Sequence, residues 1–285
     1  MNTHDSPNRH DGPIDDDMTR RLEQALAVPA AGQPPDVATH GVRDRLRSRM
    51  AASRDAEAAM FTTRVRRGTA APIAPGATQH LLYAAHPGAA RRPGEPLRAR
   101  LIDLAAGCTL RPDLLGREAE QRGRHREWLV VSGEVQLDGV RLGARDYHVS
   151  PAGCDTPVWQ ALTPTRLFLR ESDMPAAIGD GPFTVRDAEA PWPDYAPGIQ
   201  RRVLWQRDGM AAMLYRGQPG ISVPQHTHGH DEDCLMVEGE LFLDDMLLQA
   251  GDYQLAPAGT GHRITATDVG AVIYAHGDLD LRFVG

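Results

Sequence analysis

An all-β chain of two tandem barrels behind a short helical segment is the fold that the 285-residue sequence predicts, on three observations. From Phe61 onward, short apolar runs alternate with Gly and Pro turn signals about every 8–12 residues, the texture of a sandwich or barrel. The same stretch repeats itself, so one architecture is present twice. Ahead of it, apolar residues recur at every fourth position, the period of a helix.

Taken in order, residues 1–17 are polar and aperiodic, and disorder is expected there. A short helix is expected over Met18–Val28, stopped near Pro29, and Ala30-Ala31-Gly32-Gln33-Pro34-Pro35 reads as a linker. A second helix is expected over Val42–Met60, with Val42, Leu46 and Met50 on one apolar stripe and Arg43, Arg45, Arg47 and Arg49 off it. Such a stripe suits docking on the body of the protein or a groove on a partner protein. The arginines could instead meet nucleic acid.

The repeat sets the rest of the organisation. Phe61-Thr62-Thr63 resembles Phe183-Thr184-Val185, and Pro75-Gly76 matches Pro197-Gly198. Further on, the runs from Trp128 to Val135 and from Asp146 to Gly153 match those from Cys234 to Leu241 and from Asp252 to Gly259. Leu167-Phe168-Leu169 likewise matches Ile273-Tyr274-Ala275. The later matches share one spacing, smaller than that of the early ones, so the first copy carries an insertion, placed at the Gly-, Pro- and Arg-rich stretch Pro87–Pro96. The expected division is an N-terminal segment 1–60, a first β domain 61–175 and a second 183–285.

Composition narrows the chemistry. The net charge is −7, which argues against a general nucleic-acid coat. All 31 basic residues are arginine, so Schiff-base chemistry on a lysine and a lysine-bearing phosphate loop are excluded. Three cysteines, Cys108, Cys154 and Cys234, make neither a disulfide framework nor a C-x-x-C zinc module. Neither a signal-peptide pattern nor an apolar run of about 20 residues is visible, and a soluble cytoplasmic protein without membrane contact is expected.

The second copy concentrates the metal-binding residue types. His226 and His228 are two apart, and on a strand such residues point to one face. Glu232, beyond a polar turn, can add an oxygen ligand, and His262 a third imidazole from a strand paired across the barrel. Three neutral nitrogens and one carboxylate suit a divalent ion. His230 is the nearest alternative ligand and is expected at the mouth. His276 is expected to be a surface or pocket residue, and Cys234 a small buried residue or, alternatively, a redox-active one. Tyr215, Met236 and Tyr253 are candidates for side chains facing the site. In the first copy the four ligand positions become Glu120, Arg122, Arg126 and Thr156, so a barrel without a metal site is expected; a shifted set from Glu118, Glu120, His125 and Glu127 is the alternative.

Gly220, His226, His228, Glu232 and Gly239 match every position of the first cupin motif. Gly251, Pro257, Gly259 and His262 match the second, with Ala266 where that motif has Asn. The chain thus resembles the cupin superfamily, which implies a double-stranded β-helix, or jelly roll, in each copy. The segments Asp233–Glu240 and Ala250–His262 resemble more narrowly the cupin domain of ChrR-like anti-sigma factors. That resemblance implies one bound zinc and a regulatory role with a sigma-factor-like partner, reached here through the N-terminal helix. The chain departs from those factors in having no cysteine before Cys108, so their N-terminal zinc element is missing.

Two function classes follow. Zinc with four protein ligands is coordinatively full, which suits a sensor or regulator. Fe(II), Mn(II) or Ni(II) in the same set keeps positions open and suits a dioxygenase or other oxidoreductase acting on a small dicarbonyl, phenolic or organic-acid substrate. A small-molecule ligand in the second barrel is expected in either class, and a monomer or homodimer fits the duplicated architecture.

Overall fold

A computed structural model describes residues 37–88, 90–92, 94–116, 123–173 and 181–284. The disorder expected over 1–17 and the helix expected over Met18–Val28 lie outside these residues. The second expected helix is found at Val37–Ala59, starting ahead of the predicted Val42. Val42 is 55% and Leu46 40% exposed, so the predicted stripe faces solvent along much of its length. Among the described residues no helix is long and apolar enough to cross a membrane.

The rest is β-structure in two jelly-roll barrels. In the first, a sheet of seven strands runs in the order Phe183–Val185, Tyr147–Ser150, His125–Ser132, Thr165–Ser172, Arg98–Leu104, Ala77–Ala84 and Ala71–Ala74. A second sheet is formed by Thr109–Leu110, Trp159–Ala161, Val135–Leu137 and Val140–Leu142. Ile102, Trp128 and Leu167 of the one sheet share a core with Leu110, Leu137 and Trp159 of the other. In the second barrel the long strand Glu232–Leu243 belongs to both layers. Its first half pairs with Tyr253–Ala256 and Ala271–Asp278, its second half with Met246–Gln249 and Thr265–Thr267, and a register shift between Met236 and Glu238 marks the change.

Within strand His125–Ser132 the run Trp128–Val131 is apolar at every position because both faces of the strand are covered. Trp128 and Val130 enter the first barrel's own core, whereas Leu129 and Val131 join a second core with Leu235, Val237, Leu255 and Tyr274 from the other barrel. The barrels therefore share one hydrophobic seam.

Each barrel also completes its neighbour's sheet. Phe61–Thr63, at the start of the first copy, pairs with Tyr253–Ala256 of the second, Phe61 opposite Leu255. The matching strand Phe183–Val185 pairs with Tyr147–Ser150 of the first, Phe183 opposite Val149. Domain limits drawn in sequence and in hydrogen bonding thus differ at these two strands. Part of the insertion lies where the repeat puts it, between strands Ala77–Ala84 and Arg98–Leu104, where the second copy turns through Asp208 and Gly209, both at positive φ; the rest falls between Leu104 and His125, since pairing makes Leu104 the counterpart of Gly217.

A buried polar cluster sits in the seam. Arg170 donates from Nε to Asp233 Oδ1 (2.9 Å), from Nη1 to Glu127 Oε1 (3.2 Å) and from Nη2 to the Gly94 carbonyl of the insertion (2.6 Å). Glu127 Oε2 accepts further bonds from Trp205 Nε1 (3.0 Å), from the Tyr274 hydroxyl (2.9 Å) and from the Tyr147 hydroxyl. Burial opposes the charge on Glu127, but the surrounding cations and donors hold its pKa down to about 2. Burial lifts Asp233 to about 6 against the pull of Arg170. In the repeat Glu127 corresponds to Asp233 and Arg170 to His276, so the cluster straddles a pseudo-twofold relation. Replacing Arg170 by Ala would leave two buried carboxylates facing each other. The variant is expected to lose about 3–5 kcal/mol of stability, measured by chemical denaturation.

Candidate metal centre

The three histidines and the glutamate of the second copy meet at one end of its barrel. Strand His226–Thr227 pairs with Gly261–His262, His226 directly opposite His262. His262 therefore comes from the adjacent strand, not from across the barrel as expected. A Cβ at Gly261 would overlap the His226 carbonyl oxygen, so only glycine allows this approach. His228 follows the strand end, tied by its amide to Thr260 O (2.9 Å) and by its carbonyl to Gly259 N (2.8 Å). Glu232 opens the long strand, and all four side chains are buried.

The ring centroids lie 5.3 Å (His226–His228), 5.6 Å (His226–His262) and 5.2 Å (His228–His262) apart, and His228 Nδ1 is 3.5 Å from Glu232 Oε2. Nδ1 of His226 stands 3.1 Å from the Pro224 carbonyl. With the proton there, Nε2 keeps its lone pair free. His262 Nδ1 is 3.6 Å from Asp244 Oδ2, and Asp244 is itself held by the amide of Arg263 (2.9 Å). At that distance Asp244 is a charge partner short of a hydrogen bond, in the position from which carboxylates support metal-binding imidazoles. Both ring nitrogens of His228 and Nδ1 of His262 are buried without a hydrogen-bond partner. Burial works against the charge of Glu232, but the three imidazoles around it bring its pKa to about 2. Burial depresses His226, whereas the Glu232 carboxylate outweighs burial at His228 and raises it.

The residues fit a divalent ion by donor chemistry and by these unspent nitrogens. Their side chains are gathered but not closed: among the described residues no group of three or more His, Cys, Asp or Glu stands ready to hold an ion.

His226, Glu232 and His262 line a cavity of about 430 Å³ whose walls are mainly apolar. Of the loose candidates, Tyr215 reaches it. Met236 does not; it packs with Met246 and Leu248 in the barrel's apolar interior. Tyr253 lies in the seam between the barrels. His230 pairs with Asp278 (2.5 Å) and does not line the cavity. His276 is neither a surface nor a pocket residue: it is fully buried in the seam, 3.7 Å from both Glu127 and Asp233. Cys234 lines the cavity with Sγ 3.6 Å from Glu232 Oε1, and burial pushes its thiol pKa up, which keeps it protonated.

The first barrel differs at the matching positions. Arg126, the counterpart of Glu232, is buried 3.6 Å from Glu171 Oε1. Glu171 also takes Arg100 Nη2 (2.7 Å) and Arg124 Nη1 (3.3 Å). The counterpart of Glu171 in the second barrel is Gly277, where a Cβ would come within 2.9 Å of both Cβ and Cγ of Glu232. One copy therefore holds an Arg–Glu cluster where the other makes room for a carboxylate. Thr156 is half-buried, whereas Glu118, Glu120 and Arg122 lie outside the described residues. Of the alternative set, His125 and Glu127 face the seam 3.9 Å apart, and Glu127 is held by Arg170. Sequence reasoning missed Asp244 and Gly277; aligning the two copies residue by residue exposes Gly277.

Residues 180–280 match the ChrR cupin-like domain family. No curated protein sequence matches the chain. Among solved structures, protein Ylba of Escherichia coli is 14% identical with a TM-score of 0.58, over 76% of this chain and 90% of that one. The oxalate decarboxylase of Lactobacillus farciminis, in a formate complex, is 13% identical with a TM-score of 0.54, over 78% and 87%. At these identities the structural likeness shows the fold. The chain is built on the cupin fold as two tandem barrels, and the stretch 180–280, which spans most of its second barrel, is similar to the ChrR cupin-like domains.

Proposed function

We propose that the second barrel holds one divalent metal through His226, His228, Glu232 and His262, and that the protein is a metal-dependent enzyme of oxidoreductase type acting on a small molecule. The observation that carries this reading is that three of the four donors line a partly open cavity of about 430 Å³. A purely structural metal site is closed by its ligands, whereas a catalytic one keeps a face open to substrate. Cavities of this size suit small-molecule ligands. A bound ion would supply Lewis acidity and a template for substrate at that face.

The chain's own residues do the rest. Pro224 and Asp244 orient His226 and His262. The apolar walls exclude water and strengthen every electrostatic contact inside. Burial raises the pKa of Tyr215, so its hydroxyl enters the cavity protonated and able to donate to a substrate oxygen.

A second reading makes the same centre a sensor, with zinc as its metal. It draws on the match of residues 180–280 to ChrR cupin-like domains and on the exposure of Val42 and Leu46 along helix Val37–Ala59. In that reading the helix engages a sigma-factor-like protein partner.

Elemental analysis of purified protein is expected to find one divalent metal per chain, lost in Glu232→Ala. Iron, manganese or nickel supports the enzyme, zinc the sensor, and absence of metal refutes both. Gly277→Ala, which crowds Glu232, is expected to weaken metal affinity about 10- to 100-fold with the fold retained, as read by competition with a chelator and by circular dichroism.

A further inference from the structure

The cavity has a one-sided lining. Its walls come from aliphatic side chains such as Ile199, Ile221, Val223, Leu241 and Ile273, and among the described residues no arginine lines it. In a chain whose only basic side chains are 31 arginines, that absence bears on the ligand. Arg201 lies 4.0 Å over the Tyr195 ring, donates to the Leu279 carbonyl (2.5 Å) and Asp280 (3.3 Å), and reaches the cavity only through the Tyr215 hydroxyl. The hydroxyl-bearing residues of the lining are Tyr195, Tyr215, Ser222, Thr265 and Thr267. Thr265 Oγ1 is buried without a partner, and the Tyr215 hydroxyl is 3.4 Å from the weak acceptor Met213 Sδ.

Three neutral imidazoles and the Glu232 carboxylate would leave a bound divalent ion with one net positive charge. A ligand bringing a single negative charge cancels it. A second carboxylate at the aliphatic end would be buried against walls that no arginine lines among the described residues, a costly burial.

From this we infer that the second barrel takes amphiphilic small molecules: an apolar body bearing one oxygen head group of at most one negative charge, with dianions rejected. The inference rests on the metal centre proposed above. The head meets the ion, Tyr215 and Thr265, and the body fills the aliphatic end of the cavity.

The test is isothermal titration of the full chain loaded with Co(II), with the visible bands of cobalt as a second readout. Octanoate, suberate, acetate and oxalate are the probes. Octanoate shares its head with acetate and its chain length with suberate. It is expected to bind at least about 100-fold tighter than either, and to shift the cobalt bands. Ile221→Glu, at a half-buried wall position, is expected to weaken octanoate at least about tenfold while cobalt content stays unchanged. Suberate, oxalate or acetate binding as tightly as octanoate overturns the inference and leaves the metal centre standing. Failure to take up Co(II) overturns the centre itself, and the inference with it.

Discussion

Arg170 is the buried cation around which the two barrels are arranged. It rises from the first barrel, meets Asp233 of the second, shares Glu127 and takes the carbonyl of Gly94 from the insertion. A charge so deep is tolerable only when every donor has a partner, and here partners come from three separate parts of the chain. Asp233 directly follows Glu232, so the strand that offers a carboxylate to the barrel interior is gripped on its opposite face by the seam. The insertion adds a second grip, through Arg92 Nε to Asp231 Oδ2 at 2.7 Å. The position of Glu232 is thereby set by its two neighbours rather than by the strand alone.

The two copies have solved one problem in different ways. A cupin barrel leaves polar space at the end where His226, His228 and His262 meet, and polar space must be filled by compatible charges. In the second copy glycine at 277 gives a carboxylate room. In the first, arginines converge on Glu171, and a protein cation takes the part of an ion. The apolar interior beneath follows the same division: Trp128 and Trp159 fill the first barrel, whereas the second keeps Cys234 at the position of Trp128 and retains a cavity.

The four candidate ligands were legible because their chemistry is tied to short-range spacing, and the duplication because strands and turns kept one offset over many residues. What depended on long-range packing was not. Glu127, Arg170 and His276 look in sequence like ordinary polar positions on strands; only the juxtaposition of two barrels buries them together. Met236 and Tyr253 could not be placed without the register, since the shift between Met236 and Glu238 and the sharing of strand faces between two cores decide where each points. The walls of the cavity come from strands far apart in sequence, so its apolar character carried no local signal.

The reciprocal placement of Phe61–Thr63 and Phe183–Val185 has a consequence for association. Two separate barrels trading these strands would meet by a second-order process, and their union would depend on concentration. Joined in one chain, each strand searches for its acceptor at the effective concentration that the connecting segments set. The same two strands cover sheet edges that would otherwise be open to other chains, so the exchange also guards against edge-to-edge aggregation.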